Sequence, residues 1–147
     1  MCIRDSSQNI DALSLGLLSS DGRFKRLPLS EVVDLSGRAT SVLKLKEGVE
    51  LNSAVICRDQ GTLMLMSDIG RLLRLQVTDD SLPLMGRLAQ GPMTMRLLPG
   101  EQIVGAVCTE QTPLMLFSQR GLVARIDCSG LRYNLSLIHI SEPTRPY

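Results

Sequence analysis

Leu15-Gly-Leu-Leu-Ser-Ser-Asp-Gly22-Arg-Phe-Lys-Arg26 lines up with Leu63-Met-Leu-Met-Ser-Asp-Ile-Gly70-Arg-Leu-Leu-Arg74, and again with Leu114-Met-Leu-Phe-Ser-Gln-Arg-Gly121-Leu-Val-Ala-Arg125. The three glycines stand 48 and 51 residues apart. Two further blocks recur in the same order. Leu35-Ser-Gly37-Arg38-Ala39 matches Leu84-Met-Gly86-Arg87-Leu-Ala89, and Leu43-Lys-Leu-Lys-Glu-Gly48-Val-Glu-Leu51 matches Met95-Arg-Leu-Leu-Pro-Gly100-Glu-Gln-Ile103. A fixed order of blocks at a period near 50 residues is the mark of a repeat architecture, in which each unit buries its apolar face against its neighbour.

Each unit divides into short strands separated by turns. The runs 63–66 and 114–117 are four apolar residues closed by a glycine a few positions on, which predicts a strand buried on both faces that enters a hairpin. Gly22, Gly70 and Gly121 supply the positive φ such a turn demands. A basic strand follows each turn, at 23–27, 71–77 and 122–127, with Phe24, Leu72 and Val123 expected to face inward. A third, alternating strand is expected at 43–46 and 93–97, and a fourth at 54–57 and 104–108. Four strands per 50-residue unit is the arithmetic of a propeller blade. The fold expected is therefore all-β, with about two four-stranded blades (10–58 and 59–109) and the start of a third (110–134).

Composition narrows the function. The chain has 147 residues, 44% hydrophobic and 21% charged, with no apolar run long enough to cross a bilayer. Sixteen Lys+Arg against fifteen Asp+Glu leave a net charge of +1, so a nucleic-acid reading must rest on where the cations sit. Aromatics are 3% with no Trp, which disfavours base stacking. Cys57, Cys108 and Cys128 fit neither a redox pair nor a zinc set and are expected as small buried apolar residues in a reducing, cytoplasmic setting.

Both ends resemble translated sequencing-adaptor DNA. ATGTGTATAAGAGACAG would encode the start of residues 1–6, and CTGTCTCTTATACACAT would encode the start of 135–147; the two strings are reverse complements. Setting them aside removes His139, the sole histidine, and leaves 7–134 as an internal piece of a longer protein. Catalysis by Cys-His or Ser-His-Asp groups then has no histidine to use, and no catalytic residue is assigned.

Gly22-Arg-Phe-Lys-Arg-Leu-Pro-Leu-Ser-Glu-Val32, Leu43-Lys-Leu-Lys-Glu-Gly48, Leu84-Met-Gly-Arg87 and Leu97-Leu-Pro-Gly-Glu101 with Val104-Gly-Ala-Val107 resemble the C-terminal domain of the bacterial DNA gyrase A protein and its topoisomerase IV counterpart. The resemblance covers essentially all of 7–134. It implies a β-pinwheel, a ring of blades that bends duplex DNA around a basic rim and so guides strand passage and supercoiling. The partners it implies are double-stranded DNA, the topoisomerase B subunit, plus a second copy of the A protein, in a bacterial, nucleoid-associated location. No cofactor is expected in this chain; ATP and Mg belong to other parts of the complex, as does the nucleophilic tyrosine, whose setting Tyr133 does not share. The gyrase box Gln-Arg-Arg-Gly-Gly-Lys-Gly is absent. Ser36-Gly-Arg-Ala-Thr-Ser41 and Met85-Gly-Arg-Leu-Ala-Gln-Gly91 occupy the equivalent turns.

Wrapping a duplex without sequence choice needs cations that meet successive phosphates. Arg26, Arg74 and Arg125 recur four residues after the turn glycine; Arg38 recurs as Arg87, and Lys44 as Arg96. With Arg23, Lys25 and Arg71 these are the candidate DNA-binding residues. The plainer reading is that cations on alternating strands form a solvated face, and it is the one preferred for Lys46 and Arg58. Asp79-Asp80 reads as turn chemistry rather than a metal pair. Met64, Met66, Met93, Met95 and Met115 read as core filling. Gly37-Arg38 and Gly86-Arg87 lack the helix and the Gly-Lys-[Ser/Thr] of a phosphate loop. The competing function is a propeller-like protein-interaction scaffold that binds no DNA, which the near-neutral charge keeps open.

Overall fold

A computed structural model describes residues 10–109, 113–128 and 137–139. Residues 1–6, 135–136 and 140–147 of the adaptor-like ends, and Tyr133, lie outside them. The chain forms β1 (Leu13–Ser19), β2 (Phe24–Pro28), a four-residue helix α1 (Ser30–Val33), β3 (Leu51–Arg58), β4 (Thr62–Ser67), β5 (Arg71–Gln76), β6 (Ile103–Thr109), β7 (Leu114–Phe117), β8 (Val123–Ile126) and β9 (Leu137–His139). These make three antiparallel sheets, in the orders β2-β1-β3, β6-β4-β5-β9 and β7-β8. Almost no helix is present among the described residues, and the all-β architecture of small antiparallel sheets expected from the repeats is the one found.

The repeat holds at the level of single hydrogen bonds. Gly22, Gly70 and Gly121 have φ of 91°, 84° and 81°. Each donates its N–H to the serine three residues earlier, Ser19, Ser67 or Ser118, at 3.1 Å. Only glycine takes that φ without its Cβ meeting a carbonyl oxygen, so the same short turn closes all three hairpins. The register slips between Leu18 and Ser19 against β3, and again between Met66 and Ser67 against β6.

The core lies between neighbouring sheets. Leu18, Phe24 and Cys57 of the first sheet pack with Leu63, Leu65, Leu73, Leu75 and Ile103 of the second. The alternate residues of β4 and β5, Met64 and Leu72, face the third sheet with Cys128, Leu114 and Ile126. A strand sandwiched in this way has two apolar faces, which is why 63–66 reads Leu-Met-Leu-Met without a polar break.

Several expectations need correction. The third strands do not form within their own units. Residues 43–46 have no regular strand, and around Met93 the chain crosses to the preceding unit, where Met93 bridges Arg23. This strap, residues 84–95, runs along the outer edge of β2: Met85 N–H donates to Arg26 O at 2.8 Å, Phe24 N–H to Pro92 O at 3.2 Å, and Thr94 and Met95 N–H to Gly22 O at 3.0 Å. The outer edge of β2 would otherwise present unpaired backbone groups, and the strap supplies their partners. The matching edge of β5 is taken by Leu137–His139, with Arg71 opposite His139. Met93, Met115 and Val123 are exposed, and Cys108 is half-buried against the edge of the core between the first two sheets. Met64, Met95, Cys57 and Cys128 are buried as expected.

Candidate nucleic-acid interface

Strand parity sorts the cations of the basic hairpin arms. On β2, Phe24 and Arg26 share the face turned toward the second sheet, while Arg23 and Lys25 share the other. Arg26 is 2% exposed, and its Nη2 reaches Asp59 at 3.1 Å and Asp79 at 3.4 Å. It clasps the second repeat to the first. Arg74, at the same repeat position, donates through Nη1 to Cys128 O at 2.8 Å across the next seam. Arg125 is exposed. Arginine four residues after the turn glycine therefore makes an inter-repeat clasp in the first two repeats, with Arg26 buried and Arg74 half-buried.

The opposite face of β2 is covered too. Lys25 is fully buried, its ammonium donating to Val42 O at 2.8 Å and Arg87 O at 2.6 Å. Arg23 donates through Nη1 to Gly91 O at 2.9 Å and lies beside Asp21. Both hold the strap, Lys25 fully buried and Arg23 with 24% of its side chain still exposed. Arg71 is likewise engaged, its Nη1 donating to Glu101 Oε2 at 2.5 Å and Arg96 O at 3.3 Å.

Arg38, Lys44, Arg87 and Arg96 differ from all of these. Each is exposed, as is Lys46, and all lie in the irregular segments 36–46 and 84–97 rather than in the sheets. Arg38 and Arg87 occupy equivalent turns of successive repeats, and Lys44 and Arg96 equivalent positions after them. The exposed pairs thus lie in the two irregular segments, while the cations of the first two hairpin arms are engaged by protein partners and Arg125 of the third is exposed. Lys46, read from the sequence as a solvated charge, is exposed beside Lys44 as that reading expects. Sequence reasoning missed Asp59 and Glu101, whose roles depend on contacts between distant segments that no local motif marks.

Glu101 is 7% exposed and accepts from Leu98 N–H at 2.7 Å as well as from Arg71. Burial works to raise its pKa, but the Leu98 amide, the Ser67 hydroxyl and Arg71 together hold the carboxyl below the ordinary carboxylate value of 4.5. A carboxyl lowered on folding stabilises the fold above its unfolded pKa, and that contribution is lost as pH falls through the folded value. Glu101→Gln is therefore expected to unfold at lower urea than the wild type at pH 7, with the gap closing as pH drops below about 4.5. A gap of constant size from pH 7 to pH 3 would rule out this ion pair as the cause.

The Asp79-Asp80 pair sits in a turn as expected. Leu82 N–H donates to Thr78 O at 2.8 Å and Ser81 N–H to Thr78 Oγ1 at 3.3 Å, with Asp79 turned to Arg26. Among the described residues no group of three or more His, Cys, Asp or Glu could hold a metal ion, and no helix is long and apolar enough to cross a membrane.

Comparison with known proteins gives a consistent result. A family model described as the DNA gyrase C-terminal domain, β-propeller, matches residues 17–58, 61–110 and 112–132. The chain is 30% identical over 116 residues to the DNA gyrase A protein of Mycolicibacterium smegmatis, and 29% identical over 126 residues to the DNA topoisomerase 4 A protein of a Synechocystis strain. These matches cover 78% and 79% of this chain but only 14% of either relative. Among solved structures, a DNA gyrase A C-terminal domain superposes with a TM-score of 0.73 at 23% identity, covering 82% of this chain and 40% of that one.

Proposed function

The chain belongs to the DNA gyrase C-terminal domain family of β-propellers, and from that premise we propose that it binds and bends duplex DNA along the rim formed by Arg38, Lys44, Arg87 and Arg96. The observation that carries this reading is the division of the recurrent cations. Those in the hairpin arms of the first two repeats are engaged by protein partners, while those in the irregular segments 36–46 and 84–97 recur at equivalent positions and are exposed. Exposed cations at repeated positions suit a binding mode that neutralises successive phosphates and ignores base identity. Arg125 is exposed as well and extends the candidate set, though it lies on a sheet strand.

In this reading the chain is a non-catalytic part of the A protein of a type IIA topoisomerase. It bends DNA for strand passage and supercoiling carried out elsewhere in an ATP- and Mg-dependent complex. Its partners are double-stranded DNA, the B subunit, plus a second copy of the A protein, on the bacterial nucleoid. The test is titration of a labelled duplex with the full chain at low and then physiological salt. Affinity that falls steeply with salt supports DNA wrapping, since counterion release drives it. A folded chain that leaves the duplex unbound at both salts returns the protein-scaffold reading.

A further inference from the structure

Lys25 occupies a position where the other repeats are apolar. Three residues after the turn glycine stand Lys25, Leu73 and Ala124, and Leu73 packs into the core as an ordinary aliphatic side chain. Burying an ammonium group costs free energy unless its protons are bonded. Here they are bonded to two carbonyls from two different segments. Val42 O closes the turn segment of the first repeat, residues 36–42, and Arg87 O lies within the equivalent turn of the second, residues 85–91. The crevice over Lys25, between Leu43, Lys44, Gln90 and Gly91, is about 10 Å3, room for one water and no ligand.

The turn 85–91 needs such a tie. Its ends are fixed by backbone bonds, Met85 to Arg26 O and Phe24 to Pro92 O. Between them the chain leaves the edge of β2 and exposes Gly86, Arg87 and Leu88. Within the span, the bonds that fix it are the Ala89 N–H to Gly86 O at 3.2 Å, the Arg23 bond to Gly91 O, and Lys25 to Arg87 O. The last of these grips the backbone of the arginine itself. The corresponding turn 36–42 has no strand edge beneath it among the described residues, and Lys25 reaches it at Val42 O.

We propose that Lys25 is a positioning residue for DNA contact, its buried ammonium tying the turns that carry Arg38 and Arg87 side by side so that their guanidinium groups meet neighbouring phosphates. The role rests on the proposed DNA-wrapping function. Lys25 itself touches no DNA, being enclosed by the segments it holds. Burial also presses its pKa below the ordinary lysine value, with Glu31 opposing, as befits an ammonium withdrawn from water.

The experiment uses the full chain and two variants, Lys25→Met, which keeps the bulk and removes every donor, and Lys25→Gln, which keeps an N–H donor without the charge. Amide exchange on the DNA-free proteins reads the tie directly. Thermal melts read the fold, and duplex titrations over a salt series read the function. In Lys25→Met, exchange should quicken over residues 39–44 and 85–91 while the β1, β2 and β4 amides stay protected. Duplex affinity should fall about tenfold, and the salt slope should shrink by about 0.9, the loss of one phosphate contact. Lys25→Gln should fall between it and the wild type, and takes its place if Lys25→Met fails to melt cooperatively. Unchanged exchange in both turns of a folded variant overturns the proposal. So does quickened exchange with unchanged affinity and slope. A folded wild-type chain that binds no duplex fails the underlying DNA reading and removes the role with it, an outcome distinguishable because the exchange data would still show the tie.

Discussion

Gly22→Ala is expected to destabilise the protein by about 3 kcal/mol, whereas Gly121→Ala at the equivalent turn costs only about 1–2 kcal/mol. Both glycines have positive φ, 91° and 81°, so both substitutions meet the same backbone strain. The difference is what lies outside the turn. A Cβ on Gly22 would stand 2.0 Å from Met95 O, the backbone of the strap crossing from the second repeat, while a Cβ on Gly121 meets nothing within 4 Å among the described residues. The obstructing atom is main chain, pinned by the Thr94 and Met95 bonds to Gly22 O, so the strap must lift for the variant to fold. Urea unfolding of the two variants measures the costs, and amide exchange should show Thr94 and Met95 opening in Gly22→Ala alone. Equal costs for the two would mean that the strap does not sit on that turn.

Arg26→Ala should cost about 2–4 kcal/mol, and Arg125→Ala less than about 0.5 kcal/mol, although the two arginines hold the same place in the repeat. Arg26 is among the largest fully buried side chains, and its removal leaves a void between the first two sheets and unclasps Asp59 and Asp79. Both aspartates are solvent-accessible and would rehydrate, so the loss is packing and hydrogen bonding rather than stranded charge. Arg26→Met should recover most of the loss. Nε and Nη1 of Arg26 are buried without hydrogen bonds, and an apolar side chain of similar length relieves that desolvation. Comparative urea denaturation decides the matter: a fully stable Arg26→Ala that has lost salt-sensitive duplex binding would return Arg26 to the DNA-contacting set.

The hairpins were legible because their signals are local. A four-residue apolar run, a serine and a glycine at fixed spacing specify a strand and its turn, and the structure reproduces that turn three times with the same bond. The strap was not legible. Residues 93–97 alternate as a strand should, but alternation is silent about which edge the strand joins, and the edge of β2 in the preceding repeat was the one lacking partners. The same limit governs the cations. Recurrence picked out Arg26, Arg74 and Arg125 as readily as Arg38 and Arg87, because a clasp between repeats recurs with the same period as a contact to a ligand. Burial separates Arg26, which faces the second sheet, from Arg87, which faces solvent, and leaves Arg125 exposed as well. Lys25 shows the reverse case, a basic residue in a basic strand whose strand neighbours give no hint that two distant turns close over it.

The turn arginines Arg38 and Arg87 are expected to carry DNA binding, and the salt dependence of duplex affinity for Arg38→Ala/Arg87→Ala against the wild type measures this most directly. Each phosphate contact contributes about 0.9 to the slope of log K against log salt, so the double variant should bind more weakly and with a slope smaller by about 1.8. A folded double variant that keeps the wild-type affinity and slope would contradict the account and place the contact elsewhere on the molecule.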